Sequence, residues 1–102
     1  MNKQTGDLAD LIREHVQALD PYADVILLFP QGTEMHQDIQ LYILTPEKVD
    51  FSVEQQYLDA KYKVELDASQ SLSLYVYSKE DWHKQFVETP IYKQVQLEGI
   101  YL

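Results

Sequence analysis

Val25-Ile26-Leu27-Leu28-Phe29 is five consecutive apolar residues, closed by Pro30 and Gly32. A run this short cannot hold a helix by itself, and it opens on β-branched residues, so it reads as a strand buried on both faces. Such a strand needs one layer of structure above it and another below, which makes the chain a sheet enclosed by packed elements. The 102 residues suffice for one continuous core. No repeat, low-complexity tract or Gly/Ser linker divides them, so a single domain over 1–102 is expected.

The other elements follow from periodicity. Leu8, Leu11, Ile12, Val16 and Leu19 recur at helical spacing before Pro21, which predicts a helix over about 6–19 capped by Thr5 or Asp7. Ile39, Leu41 and Ile43 alternate with Asp38, Gln40 and Tyr42, a strand with one apolar and one mixed side that stops at Thr45-Pro46. Over 51–66, Val53, Tyr57, Ala60 and Val64 form one helical row and Leu58, Tyr62 and Leu66 the next, which predicts a helix with a wide apolar face. Leu72, Leu74 and Val76 alternate with serines and tyrosines as a third strand, and Ser78 then caps a turn through Lys79–Trp82. Pro90 opens a last helix carrying Ile91, Val95 and Leu97, which Gly99 stops before Ile100-Tyr101-Leu102. The order αββαβα is an α/β (α+β) fold, a short mixed sheet of three to four strands flanked by helices.

Charge and composition narrow the function. A net charge of −9, with Arg13 as the single arginine, would repel a phosphate backbone, so no nucleic-acid partner is expected. The chain has no cysteine and no membrane-length apolar run, which points to a cytoplasmic protein without disulfides, thiolate zinc or a membrane partner. The acidic surface favours solubility or a basic partner.

Several segments, in this order, resemble the minimal nucleotidyltransferase domains of the DNA polymerase β superfamily. Val25–Phe29 is similar to the family strand that runs into a Gly-Ser loop, and Asp38-Ile39-Gln40-Leu41-Tyr42-Ile43-Leu44 to its Ser-Asp-Ile-Asp-Leu strand. Val76-Tyr77-Ser78-Lys79-Glu80-Asp81-Trp82, then Thr89-Pro90-Ile91-Tyr92-Lys93 and Glu98-Gly99-Ile100-Tyr101-Leu102, resemble the family's closing turn and helix. The resemblance spans nearly the whole chain. It implies a nucleotidyltransferase-like domain with Asp38 as a vestigial catalytic and metal-ligating carboxylate.

The departures concern the chemistry. Pro30-Gln31 stands where the family has Gly-Ser, and proline offers no amide to a triphosphate, so Gly32 and Thr33 are the nucleotide-binding candidates that remain. Gln40 and Ser73 fall where the resemblance places the second and third carboxylates. Phosphoryl transfer rests on divalent ions held by carboxylates, and neutral oxygens are poor ligands for hard cations. Three functions stay open. The first is an inactive domain acting as a protein-interaction module, antitoxin-like or regulatory, with no cofactor. Its partner would be a small helical protein of the HEPN type, which the resemblance implies, or a second copy in a homodimer. The second is an active Mg-dependent transferase moving a nucleotide from ATP onto a protein or small molecule. The third is a nucleotide sensor without turnover.

Other reactive side chains have plainer readings. His36 and Asp38, joined by Glu34, form either a metal pair or a solvated junction between loop and strand. His15 and His83 have no nucleophile near them, and Ser52, Ser71 and Ser73 have no histidine at a telling spacing. Glu65 and Asp67 could replace a lost ligand only where the fold carries them to Asp38. Of the 8 tyrosines, Tyr42 and Tyr75 are expected to flank the former active-site face as exposed rings.

Overall fold

The computed structural model describes residues 3–29 and 39–102, with side chains described from Leu8 onward. Its elements run α1 (Lys3–Leu19), β1 (Asp24–Leu28), β2 (Ile39–Thr45), α2 (Phe51–Ala68), β3 (Leu72–Ser78), α3 (Lys79–Gln85), α4 (Pro90–Glu98) and β4 (Ile100–Tyr101). The strands form one open sheet in the order β3-β2-β1-β4. β1 is antiparallel to both β2 and β4, whereas β2 and β3 are parallel and joined through α2, as a parallel pair requires. The fold is thus α+β, with a mixed sheet between two helical layers. No helix among the described residues is long and apolar enough to cross a membrane.

Alternation along β1 and β2 divides the core in two. Val25, Leu27, Leu41 and Ile43 pack with Leu8, Ile12 and Val16 of α1 and Tyr57 and Val64 of α2. Ile26, Leu28, Tyr42 and Leu44 face the other way, onto Trp82 of α3 and Val95 of α4. The apolar run at 25–29 is therefore covered on both sides, as a continuous hydrophobic strand demands.

Caps fix where the helices start and stop. The Asp50 carboxylate accepts from the Val53 amide at 2.9 Å, and the Ser78 hydroxyl accepts from the Asp81 amide at 3.0 Å. The Thr89 hydroxyl accepts from the Tyr92 amide at 3.2 Å, ahead of Pro90 in the first turn of α4. Gly99 follows α4 because space forbids more: a Cβ there would sit 2.5 Å from the Val95 carbonyl oxygen and 2.6 Å from Ile26 Cγ2. The need is close approach between α4 and β1, since its backbone is extended.

Several details depart from the sequence expectations. α1 begins at Lys3, so Thr5 and Asp7 lie within its span and not ahead of it. The turn after Ser78 continues into the full helix α3, because Trp82 and Phe86, four apart, both pack against Tyr77. Ile100-Tyr101 pairs with Ile26 and Leu27 as the fourth strand of a sheet expected to hold three to four. The second apolar row of α2 is not buried: Tyr62 is 50% and Leu66 81% exposed, since the sheet meets only the Tyr57–Ala60–Val64 row. Leu97 of α4 also faces out.

Candidate functional site

The parallel pairing of β2 and β3 sets Gln40 beside Ser73, Tyr42 beside Tyr75 and Leu44 beside Tyr77. Partners in register share a sheet face, so Gln40 and Ser73 project from the same side of the sheet. Both offer neutral groups. The Gln40 side-chain oxygen accepts a hydrogen bond from the Tyr42 hydroxyl at 2.8 Å. Asp38, Gly32 and Thr33, with Pro30, Gln31, Glu34 and His36, lie outside the described residues.

Tyr42 is the pivot of this face. It is 1% exposed, which corrects the expectation of an exposed ring; only Tyr75, at 37%, opens to water. The reason is α3: Trp82 packs on Tyr42 at 6.0 Å between centroids, and Tyr75 stacks with it at 4.9 Å and 17°. Burial, followed by the neighbouring Tyr75 and Tyr77, pushes the Tyr42 hydroxyl from 10.0 up to about 12. The same burial raises Tyr77. A phenol held this firmly neutral donates a hydrogen bond to Gln40 and does not serve as a base near neutral pH. Trp82 Nε1 is buried and finds no acceptor among the described residues.

The other candidates are dispersed. Glu65 is engaged within its own neighbourhood: its Oε2 accepts from the Leu72 amide at 2.7 Å, and its Oε1 lies 3.6 Å from Lys61 Nζ. Asp67 faces solvent on α2. His83 Nδ1 lies 3.2 Å from the Tyr92 hydroxyl on the surface, and His15 is half-buried between α1 and α2 beside Asp59 and Lys63. Among the described residues no group of three or more His, Asp or Glu side chains could hold a metal ion.

A second feature had no counterpart in the sequence expectations. Between α2 and the outer edge of β3 runs a groove of about 360 Å³, lined by Glu54, Leu58 and Lys61 from the helix and residues 74–77 from the strand. The visible signal for it was Lys61 and Glu65, charged residues four apart on the side of α2 that also carries Leu58, next to a strand, Leu72–Ser78, without a single charge. Compared with protein-family models, curated proteins and solved structures, the chain matches none.

Proposed function

We propose that this chain is a non-catalytic protein-interaction module, antitoxin-like or regulatory, on a nucleotidyltransferase-like scaffold. The observation that carries the reading is the Gln40–Tyr42 bond at 2.8 Å. At the strand position where the resemblance calls for a second anionic ligand stands a neutral carboxamide already engaged by a buried phenol. Ser73, in register beside it, contributes a hydroxyl in place of the third carboxylate. A two-cation cage neutralises a polyphosphate only when several carboxylates first concentrate negative charge, so what remains suits structure better than catalysis. The resemblance suggests a small helical partner of the HEPN type or a second copy, and the charge of −9 suits a basic surface on any foreign partner.

Calorimetry with Mg-ATP tests the reading, and no heat of binding is expected. Micromolar, metal-dependent binding would overturn it. So would transfer of radiolabel from ATP to a candidate partner that disappears in Asp38→Ala.

A further inference from the structure

We propose that Trp82, Tyr92 and His83 form an oxidation site: an electron taken from the buried indole is replaced from Tyr92, whose phenolic proton passes to His83, so the radical comes to rest on Tyr92. The co-reactant is a one-electron oxidant, such as a diffusing oxygen radical or, in the laboratory, light with a soluble electron acceptor. This proposal stands apart from the interaction-module reading and does not rest on it.

Trp82 is the starting point. It is 0% exposed, and its Nε1–H, also buried, meets no acceptor among the described residues. A native fold rarely leaves such a donor orphaned without a cause, and redox use is one such cause. An indole that loses an electron becomes a strongly acidic radical cation, which ordinarily relaxes by releasing its Nε1 proton. With no acceptor beside it the proton stays, and the cation keeps its full oxidising strength. An electron from a neighbouring ring then relieves it.

Three phenols and the Phe86 ring pack around the indole. Tyr92, Tyr77 and Tyr42 lie 5.2, 5.3 and 6.0 Å away between centroids, and Phe86, at 5.9 Å, is too hard to oxidise. Rings this close exchange electrons readily, so distance does not choose among the phenols. The proton does. A phenol radical cation is a far stronger acid than the phenol, so the electron leaves downhill only where a base takes the O–H proton. The Tyr42 hydroxyl donates to the Gln40 carboxamide oxygen at 2.8 Å, and a carboxamide is not a base. The Tyr77 hydroxyl has no hydrogen bond among the described residues. Of the three, only the Tyr92 hydroxyl meets an imidazole nitrogen, His83 Nδ1 at 3.2 Å. In the tautomer protonated at Nε2, Nδ1 accepts the phenolic proton, and the exposed ring hands its Nε2 proton to water.

Electrons and protons balance. The oxidant gains one electron, Trp82 is restored, Tyr92 becomes a neutral phenoxyl radical and His83 an imidazolium. α3 carries Trp82 into the core and His83, the next residue, outward, while α4 sets the half-buried Tyr92 against both. Oxidation is thereby drawn out of the core to a ring that a soluble reductant can reach.

Flash photolysis of the full chain tests this, because Trp82 is its one tryptophan and near-ultraviolet light can be chosen that only the indole absorbs. With a soluble scavenger for the ejected electron, the indole radical cation should decay as phenoxyl absorption rises, at a rate independent of protein concentration. Tyr92→Phe keeps the ring and should abolish that rise, leaving the cation to persist. His83→Asn keeps an acceptor beside the hydroxyl but no base, and should slow the transfer about a hundredfold. Tyr77→Phe should leave it unchanged. The proposal is overturned if natively folded Tyr92→Phe or His83→Asn decays like the wild type, or if Tyr77→Phe or Tyr42→Phe removes the phenoxyl signal instead. A first transient that is already the deprotonated indolyl radical overturns it too. So does a rate that scales with protein concentration, which would mark transfer between chains to the exposed Tyr22, Tyr62 or Tyr101.

Discussion

On the α1/α2 side of the sheet the buried residues are aliphatic apart from Tyr57, whereas on the α3/α4 side a connected chain of rings runs from Tyr75 through Tyr42 to Trp82, with Tyr77, Phe86 and Tyr92 around the indole. The two sides carry different burdens. α1 and α2 are long helices, and their layer is held by non-directional apolar burial that tolerates adjustment. α3 and α4 are half that length or less, so each must bury a large side chain to stay docked, and Trp82 and Val95, both 0% exposed, do so. Rings bring polar handles with them. One handle is satisfied by Gln40 and another, Trp82 Nε1, has no partner among the described residues. The difference teaches that the face carrying Gln40 and Tyr42 is held by geometry-specific contacts, the other by bulk hydrophobicity.

Leu27→Asp is the most severe test of the aliphatic side. Leu27 is 1% exposed in an inner strand, so the substitution buries a carboxylate without a partner and should cost about 4 kcal/mol or more, enough to unfold the domain. Urea denaturation followed by far-UV circular dichroism checks it, and unchanged stability would mean that the strand is not inside.

The aromatic side is broken by Trp82→Ala. Removing an indole that touches Tyr42, Tyr77, Phe86 and Tyr92 should cost about 3–5 kcal/mol. Trp82→Phe sharpens the comparison: it keeps a ring and removes the unpartnered N–H, so its loss should stay below about 1.5 kcal/mol. If the two variants are equally destabilising, the indole nitrogen has an acceptor after all.

That contrast also marks what could be read without coordinates. The apolar run at 25–29, the alternation in β2 and β3, the cap at Ser78 and the helix start at Pro90 were legible because each is a local pattern with a local physical cause. Burial of Tyr42 was not, because it depends on where α3 lands, and α3 read as a turn: seven residues with one large apolar side chain show little periodicity. Tyr62 and Leu66 misled for the opposite reason, since periodicity reports an apolar row without saying whether anything covers it. The clamp of Lys61 and Glu65 on Leu72 joins residues from different elements and required the fold.

Gly99→Ala probes the seam between α4 and β1 on the aromatic side. The added methyl would lie 2.5 Å from a backbone carbonyl oxygen, which cannot rotate away as a side chain could. Either α4 shifts from Ile26 or the helix end opens, at about 1–3 kcal/mol, measurable as a lowered denaturation midpoint. A neutral result would mean that α4 is loosely seated and that Val95 contributes little to holding it.

The smallest expected effect is the most specific. Tyr42→Phe keeps the ring, loses the bond to Gln40 and should cost about 1 kcal/mol at neutral pH. Its alkaline behaviour tells more. The Tyr42 hydroxyl is pushed up to about 12 in the fold, above its ordinary 10.0, so the native state holds the proton more tightly than the unfolded chain does. The resulting stabilisation is complete below pH 10 and is lost as pH rises toward 12, because the unfolded phenol ionises first. Tyr57 and Tyr77 are raised as well, each chiefly by burial, and add to the decline with the same sign. Between pH 10 and 12, Tyr42→Phe should therefore lose stability less steeply than the wild type in parallel urea titrations. Since Tyr57 belongs to the aliphatic side, Tyr57→Phe as a companion divides the alkaline loss between the two faces. Equal slopes for wild type and Tyr42→Phe would show that water reaches the Tyr42 hydroxyl, and that Gln40 is free to serve something other than its neighbour.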